Sequence, residues 1–492
     1  MAVGRIPSTL PAPEASVRAG WFSGSSARTR RVLLEAVSLA CLLAAAGWIF
    51  SIPLHGATNY DEGNYLAALS DLRHGFVLGK DVYPDQPPGW YALLQVLALA
   101  VGNSQTAIRV ALIAIALLGV LAVWACARRL GPWPAFLAAG LLVVAPPYPL
   151  QASQIEGDTS AAVRAHGALA CVLWGYRNRG SRALALAAGV LLACAVSIKL
   201  SALVVALPIA LLAFRRPRLV LWSLGGFVAI LAAEVFAYRN ELGPIAHGVI
   251  GYHVNALASQ HWSTRDNVRM LTHYLDWHTP FAWLFAAGIV AMVWLVVRRA
   301  REVRILATLW LLVPCAIAFA LVLKPLFTHH LVALSVALAL PAGASIGVAA
   351  ARAPRAVGTV CAVAAMVFVA TGAYQQRRWA DRVPGQPAWI YHAAAWLRAA
   401  SRPNELVATD MPIVAYDAHR RVVPDLVDST FTRLYVGELT PKKVFEEIDS
   451  HHVNVALIGR VFFADPKIRH AFDTGFRHRL YLKNAVAYWG RK

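Results

Sequence analysis

The chain has 492 residues, of which 58% are hydrophobic and 15% charged, and its mean hydropathy is +0.53. A soluble domain is usually ~45–50% apolar, so this composition excludes an ordinary soluble enzyme and indicates an integral membrane protein. Lys and Arg outnumber Asp and Glu by 46 to 26, but the basic residues separate hydrophobic runs and form no groove-like cluster, which argues against a nucleic-acid partner.

Residues 1–32 are polar and rich in Pro, Ser and Arg, which predicts a disordered cytoplasmic tail before an uncleaved first span. A helix needs roughly 20 apolar residues to cross a bilayer, and about 11 such segments follow. We predict membrane spans over residues 33–52, 105–126, 133–149, 160–176, 182–197, 200–214, 219–238, 280–297, 303–323, 329–350 and 355–374.

The arginine-rich clusters between these spans alternate consistently if all of them are cytoplasmic. The segments predicted to lie on the opposite, extracytoplasmic side are 53–104, 150–159, 198–199, 239–279, 324–328 and everything after about 375. Nearly every acidic or histidine residue that could carry chemistry lies on that side. The outer face is therefore the predicted location of any active site.

The first outer loop contains two short helical segments. Residues 61–74 place apolar side chains at helical spacing, and residues 89–102 are apolar but too short for an ordinary span. We predict an amphipathic helix for the first segment and a juxtamembrane or re-entrant helix for the second. The Pro-rich turn 84–88 joins them.

The composition changes after residue 375, and residues 376–492 are predicted to form a small extracytoplasmic α/β domain. We predict helices over 389–400 and 440–450, the latter opening at Thr440-Pro441, and strands over 406–409 and 454–459. The predicted organisation is thus a tail over 1–32, a polytopic α-helical domain over 33–375 and this C-terminal domain.

Carboxylates beside a bilayer are costly unless they have open water or a function. Asp61 and Glu62 open the predicted helix of the first outer loop, and Asp85 is followed by Gln86 and two prolines. Capping of the helix is the alternative interpretation for the first two residues, and an ordinary polar turn is the alternative for Asp85. Otherwise these side chains are candidates for proton transfer or ligand binding.

The second outer loop carries Glu156 and Asp158, for which a solvated turn with a capping aspartate is the alternative. Two acidic loops next to the membrane can converge on one cavity, where one carboxylate takes a proton and another orients the substrate or holds a cation.

Basic side chains also lie at the outer edge. Lys199 either extends to the interface or faces a phosphate, and Lys324, His329 and His330 form a second cluster. Cations beside carboxylates suit a substrate that is anionic and rich in hydroxyl groups, such as a lipid phosphate carrying a sugar. Walker, HExxH and Rossmann patterns are absent from the sequence, which argues against ATP-driven transport.

The combination of Asp61-Glu62 with Asp85-Gln86-Pro87-Pro88 and an aromatic run resembles the C-type (GT-C) glycosyltransferases. More narrowly, it is similar to the protein O-mannosyltransferase and lipid A aminoarabinose transferase group. The resemblance covers roughly residues 33–350, and Gln86 stands where that group usually has lysine. Asp158, Lys199 and His329-His330 match further acidic, basic and histidine positions of the group.

The resemblance implies a GT-C-like fold and an inverting transfer of a sugar from a polyprenyl-phosphate donor to a hydroxyl of a lipid, protein or cell-wall glycan acceptor. It further implies that the enzyme lies in a bacterial inner membrane with its site on the extracytoplasmic face. The loop 239–279 and the C-terminal domain are expected to choose the acceptor.

The residue roles that the resemblance implies fall into four groups. They are catalysis by Asp61 as general base with Asp85 and Asp158; donor-phosphate binding by Lys199, Lys324, His329 and His330; substrate positioning by Tyr60, Glu62, Gln86 and Glu156; and binding of a divalent cation (Mg, Mn or Zn) by Asp61 and Asp158. Two rival functions remain open, namely a transporter or flippase of lipid-linked sugars and a non-catalytic membrane protein of the same fold.

Overall fold

The computed structural model describes residues 17–177, 181–214, 216–258, 262–276, 280–380, 385–403 and 405–492. The chain divides into two compact units, Met1–Ala45 and Ala46–Lys492. Helix α1 (Val17–Ser51) begins in the first unit and ends in the second, and every later element belongs to the second unit.

The part of the chain before residue 381 is almost entirely helical. Its helices after α1 are α2 (Tyr60–Arg73), α3 (Pro88–Val101), α4 (Gln105–Arg128), α5 (Pro132–Val144), α6 (Tyr148–Gln151), α7 (Gly157–Arg177), α8 (Arg182–Ile198), α9 (Ala206–Ala213), α10 (Pro217–Ala237), α11 (Leu242–Ala246), α12 (Tyr252–Ala258), α13 (Thr264–Tyr274), α14 (Pro280–Val297), α15 (Val303–Trp310), α16 (Leu312–Val322), α17 (Val332–Arg352) and α18 (Arg355–Ala380).

Several helical segments are long and apolar enough to cross a bilayer, which confirms a multi-pass membrane protein. Among the described residues they are Arg28–His55, Gln105–Arg128, Pro217–Ala237, Val303–Val322 and Thr328–Arg352, and five shorter apolar helices accompany them. Each predicted span coincides with helical structure, although the segment 133–149 is interrupted after Val144 because Pro146 and Pro147 cannot continue a helix.

Small residues let the central helices pack closely. On α17, a Cβ atom at Gly343 would lie 2.4 Å from the Cα atom of Ala138, and one at Gly347 would lie 2.4 Å from the nitrogen of Pro134 on α5. Close backbone approach of this kind is how helices associate where there is no hydrophobic driving force between them. Helix α17 is consequently buried along most of its length, with α5 and α14 against it.

The C-terminal part is an α/β domain, as predicted. Its helices are α19 (Ala388–Ala400), α20 (Pro412–Asp417), α21 (Phe431–Tyr435), α22 (Pro441–Ser450), α23 (Val461–Ala464) and α24 (Pro466–Gly475), and its strands are β1 (Leu406–Thr409), β2 (Arg421–Val422), β3 (Val455–Ile458), β4 (Phe476–Leu482) and β5 (Ala485–Arg491). The two predicted strands are β1 and β3. The Thr440 side chain caps α22 by accepting a hydrogen bond from the Lys443 amide, as expected.

These strands form one sheet in the order β2-β1-β3-β5-β4. Strand β1 is parallel to β2 and β3, whereas β5 is antiparallel to β3 and β4. The carboxyl ends of β1 and β3 therefore meet at the same edge of the sheet, where ligands bind in open α/β sheets.

Helix α2 lies against this C-terminal domain. A Cβ atom at Gly63 would lie 2.9 Å from the amide nitrogen of Ile413 on α20, so only glycine permits this approach. Most residues of α2 are buried, including the polar Asn64, whose Nδ2 atom donates to Asp428 Oδ1 at 2.9 Å. The predicted amphipathic helix of the first outer loop is thus a buried connection to the C-terminal domain.

A buried ion pair fixes the start of α2. The Arg109 guanidinium of α4 donates to both carboxylate oxygens of Glu62, at 2.9 and 2.5 Å, and the two side chains are 4% and 0% exposed. Arg109 also donates to the carbonyls of Leu54 and Gly56, and Glu62 accepts from the Ile155 amide. Every charged group here is paired, which such burial requires.

We predict that Glu62→Gln destabilises the protein strongly, because it leaves the Arg109 charge buried without a counter-charge. Removing one partner of such a pair costs about 3–5 kcal/mol. Thermal unfolding in detergent micelles measures the effect. The control is Glu302→Gln, which breaks the more exposed pair with Arg352 (N–O distance 2.7 Å) and should cost about 0–1 kcal/mol. Equal stability of the two variants would contradict the role assigned to Glu62.

Candidate functional site

The first candidate residue, Asp61, is placed by the cap of α2. Asn59 caps the helix and forms a capping box with Glu62, so Asp61 lies in the first turn beside Tyr60. Among the described residues no side chain or amide donates a hydrogen bond to the Asp61 carboxylate, and 35% of this side chain is exposed. Asp61 therefore offers its oxygen atoms to the cavity in front of it.

Asp85 is held in place by tyrosine hydroxyls. Tyr65 of α2 donates to its Oδ2 atom at 3.2 Å, Tyr91 of α3 donates to Oδ1, and Gln86 donates at 3.5 Å. The prolines that follow Gln86 restrict the backbone of this segment, as the sequence indicated. Asp85 is thus a rigidly oriented carboxylate near the N-terminus of α3.

The second outer loop brings two more carboxylates to the same place. Glu156 Oε1 accepts a hydrogen bond from Asn59 Nδ2 at 2.5 Å, which ties this loop to the cap of α2. Asp158, in the first turn of α7, accepts from the ammonium group of Lys199 at 2.5 Å. The two acidic loops therefore approach each other at Asn59 and Glu156, but neither Glu156 nor Asp158 is among the described residues that line the cavity. Lys199 is engaged by Asp158.

Two histidines at the start of the helical segment Thr328–Arg352 lie next to these carboxylates. His329 Nδ1 lies 3.3 Å from Glu156 Oε2 and 3.8 Å from Asp61 Oδ2. His330 is buried and its Nδ1 atom accepts from the Phe327 amide at 3.1 Å. Both histidines face the cavity, whereas Lys324 is not among the described residues that line it.

The cavity has a volume of about 310 Å³ and lies between the C-terminal domain and residues of the segments 60–86, 252–253, 262 and 325–330. Its walls are formed by acidic, aromatic, histidine and hydroxyl side chains. They are Tyr60, Asp61, Tyr65, Asp85, Gln86, Tyr252, His253, Trp262, Pro325, Phe327, His329, His330, Asp428, Thr430, Phe431, Thr432, Tyr435 and Arg460. Such a set of carboxylates and aromatic rings suits a hydroxyl-rich ligand.

The cavity walls change the ionisation of the carboxylates. Burial, followed by the Asp85 charge, raises the pKa of Asp61 to about 6, although Lys199 and Arg460 oppose this shift. Burial also raises the pKa of Glu156 well above its usual range, and the Asp61 charge adds to the effect. A carboxylate that holds its proton up to about pH 6 is matched to general-base work near neutral pH.

Three of these side chains can bind a metal ion together. Asp61, Glu156 and His329 each offer one ligand atom, and these atoms all lie within 4.8 Å of one another. The Glu156 Oε2 atom is buried without a well-angled hydrogen-bond partner in the described part of the chain, so it is available as a ligand. Two carboxylates and an imidazole suit zinc or manganese.

Several predicted roles differ from the arrangement observed. A cation site was predicted on Asp61 and Asp158. The observed candidate ligands beside Asp61 are Glu156 and His329, because Asp158 is bound to Lys199. Glu62 was predicted to position substrate, but it is fully buried in the ion pair with Arg109, so the capping alternative holds for it.

Sequence reasoning missed the contribution of the C-terminal domain. Asp428, Thr430, Phe431, Thr432, Tyr435 and Arg460 all line the cavity. No motif surrounds these residues. A usable signal existed for Arg460, because it directly follows the predicted strand 454–459. In the structure this strand is parallel to β1, and the carboxyl ends of such strands form ligand sites.

Comparisons with known proteins agree with this architecture. Residues 85–238 match the family described as dolichyl-phosphate-mannose-protein mannosyltransferase. The crystal structure of ArnT from Cupriavidus metallidurans bound to undecaprenyl phosphate is similar over 94% of this chain and 98% of that one, with a TM-score of 0.68 and 16% identity. This chain has the GT-C fold. The resemblance recognised in the sequence is thereby confirmed.

Two further structures share this fold at lower similarity. The oligosaccharyltransferase of Archaeoglobus fulgidus in complex with zinc and sulfate has a TM-score of 0.53 and 14% identity, over 92% of this chain and 73% of that one. The oligosaccharyltransferase AglB from Archaeoglobus fulgidus, in complex with an inhibitory peptide and a dolichol-phosphate, gives a TM-score of 0.53 and 13% identity, over 92% and 74% of the two chains. A comparison with curated proteins gave no match.

We predict that the purified protein binds one zinc ion and that His329→Ala weakens this binding at least ~10-fold, because a tightly grouped ligand is lost. Isothermal titration with Zn²⁺ measures the affinity. His247→Ala is the matched control, since His247 also contacts a carboxylate, Glu438 at 2.9 Å, but does not belong to the three-residue cluster. Undiminished zinc binding by the His329 variant would rule out this cluster as the metal site.

Proposed function

We propose that the protein is a membrane glycosyltransferase that moves a sugar from a polyprenyl-phosphate donor to a hydroxyl of a lipid, protein or glycan acceptor. The single observation that carries this proposal is that Asp61, Asp85 and His329 line one cavity of a GT-C fold, with Glu156 grouped beside Asp61 and His329. The undecaprenyl phosphate and dolichol-phosphate held by the compared proteins support the donor class.

Asp61 is the general base in this proposal. Its carboxylate accepts the proton of the acceptor hydroxyl, whose oxygen then attacks the anomeric carbon of the donor sugar. The bond from that carbon to the phosphate oxygen breaks, and the polyprenyl phosphate leaves with the bonding electrons. Attack from the face opposite to the phosphate inverts the configuration. Asp61 suits this role because its oxygens are not engaged by other hydrogen-bond donors among the described residues.

The other groups position the reactants. Asp85, oriented by Tyr65 and Tyr91, accepts a hydrogen bond from an acceptor or sugar hydroxyl. A carboxylate has two oxygens, so Asp61 can offer one to a cation held with Glu156 and His329 and the other to the hydroxyl. A divalent cation bound there would polarise a substrate oxygen. The Zn-containing archaeal structure supports a metal of this kind.

The membrane geometry supports an extracytoplasmic reaction. The site lies among the segments that the arginine distribution assigns to the outer side, which supports a reaction on the extracytoplasmic face of a bacterial inner membrane. Cleavage of the sugar–phosphate bond of the donor supplies the driving force for transfer, so the proposed reaction needs no nucleotide at the site.

We predict that Asp61→Asn lowers the rate of release of undecaprenyl phosphate from a polyprenyl-phosphate sugar by about 10²–10⁴-fold, because the amide cannot accept the proton. The assay uses purified protein in nanodiscs with an envelope extract as the source of acceptor. Asp266→Asn is the matched control, since Asp266 also lies in the first turn of a helix but is exposed and does not line the cavity.

Full turnover by the Asp61 variant would exclude the base assignment. Movement of the sugar lipid across proteoliposomes by the wild type, without transfer to any acceptor, would instead favour the transporter.

A further inference from the structure

Arg460 enters the cavity from the C-terminal domain on a rigid loop. The loop follows β3, and its amides at Gly459, Arg460 and Phe462 donate to the buried carboxylate of Asp410 at 3.0, 2.9 and 2.7 Å. Asp410 itself follows β1, the parallel neighbour of β3. Two strand ends therefore fix the backbone from which the Arg460 side chain projects.

The guanidinium group lies over an aromatic ring. Its central carbon lies 3.7 Å from the centre of the Tyr60 ring and 5.6 Å from that of Phe431. Stacking uses the face of the guanidinium and leaves the N–H groups at its edge free for a planar ligand. The Nη1 atom is buried and has no hydrogen-bond partner in the described part of the chain. A buried donor of this kind requires an acceptor, and none of the described residues supplies it.

The charge of the cavity points to the same conclusion. Among the described residues that line it, Arg460 is the only lysine or arginine, whereas Asp61, Asp85 and Asp428 are acidic. Lys199 is bound to Asp158, and Gln86 occupies the position where the family that the sequence resembles usually has lysine. An anionic ligand therefore needs Arg460 to offset the repulsion of the three carboxylates.

We propose that the C-terminal domain supplies the phosphate-binding residue of this site and that Arg460 binds phosphoryl oxygens through the free edge of its guanidinium. The inference rests on the proposed function, in which the donor carries a phosphate. The same chemistry is presented by the headgroup of the donor lipid and by a phosphate on the acceptor, and the experiment separates these two sources.

The test compares binding of undecaprenyl phosphate and of undecaprenol, its phosphate-free analogue, to purified protein in nanodiscs. We expect Arg460→Gln to weaken binding of undecaprenyl phosphate about 10-fold or more, as for loss of a charged hydrogen bond, and to leave undecaprenol unaffected. Arg460→Lys should give an intermediate loss, since it keeps the charge without the planar fork. If Arg460→Gln does not fold, the binding loss measured for Arg460→Lys tests the role of Arg460 in its place.

The matched control is Arg469→Gln. Arg469 belongs to the same domain and lies over the Phe463 ring at 5.1 Å, but it is exposed and does not line the cavity. This variant should bind both lipids like the wild type. A parallel titration with inorganic phosphate, read as thermal stabilisation, tests the non-lipid source. If Arg460→Gln loses that stabilisation but still binds undecaprenyl phosphate normally, the phosphate contacted is that of the acceptor.

Two results would overturn the inference in distinguishable ways. Folded Arg460 variants that bind undecaprenyl phosphate and inorganic phosphate like the wild type would remove Arg460 from the site and leave the proposed function intact. A wild-type protein that does not distinguish undecaprenyl phosphate from undecaprenol would overturn the proposed donor and this inference together.

Discussion

The architecture of the site depends on the buried ion pair between Glu62 and Arg109. Both side chains are buried, so each charge is stable only while the other is present. Through further hydrogen bonds this pair joins the end of the first span, the cap of α2, helix α4 and the second outer loop at one point. Asp61 directly precedes Glu62 in α2. The Glu62–Arg109 ion pair therefore orients the Asp61 side chain, although Asp61 does not contact Arg109.

The remaining carboxylates are each held by a different kind of partner. Tyrosine hydroxyls orient Asp85, the Asn59 amide holds Glu156, and the Lys199 ammonium neutralises Asp158. Asp61 alone among these four has no hydrogen-bond donor within the described residues. Fixed neighbours around one free carboxylate form a preorganised environment, in which little has to rearrange when a proton is transferred.

The C-terminal domain contributes side chains to the walls of the cavity. Helix α2 contacts it through Gly63, and the buried bond from Asn64 to Asp428 joins the two parts next to the cavity. Arg460, stacked on Tyr60, adds a positive charge to a cavity that is otherwise acidic. The two parts pack within one compact unit, so residues far apart in sequence share a single low-dielectric space in which their charges interact strongly.

The sequence by itself determined the membrane-embedded helices, the helix predicted over residues 61–74, two strands of the C-terminal sheet and the candidates Asp61, Asp85 and Asp158. Hydrophobic length, helical spacing and proline positions are local properties that can be read along the chain. Only the tertiary structure decided that Glu62 is an anchor, that Glu156 and His329 accompany Asp61, and that Arg460 lies in the cavity. These assignments depend on which side chains meet across long separations in sequence. Local patterns can indicate a candidate, as the strand before Arg460 does, but they do not specify its contacts.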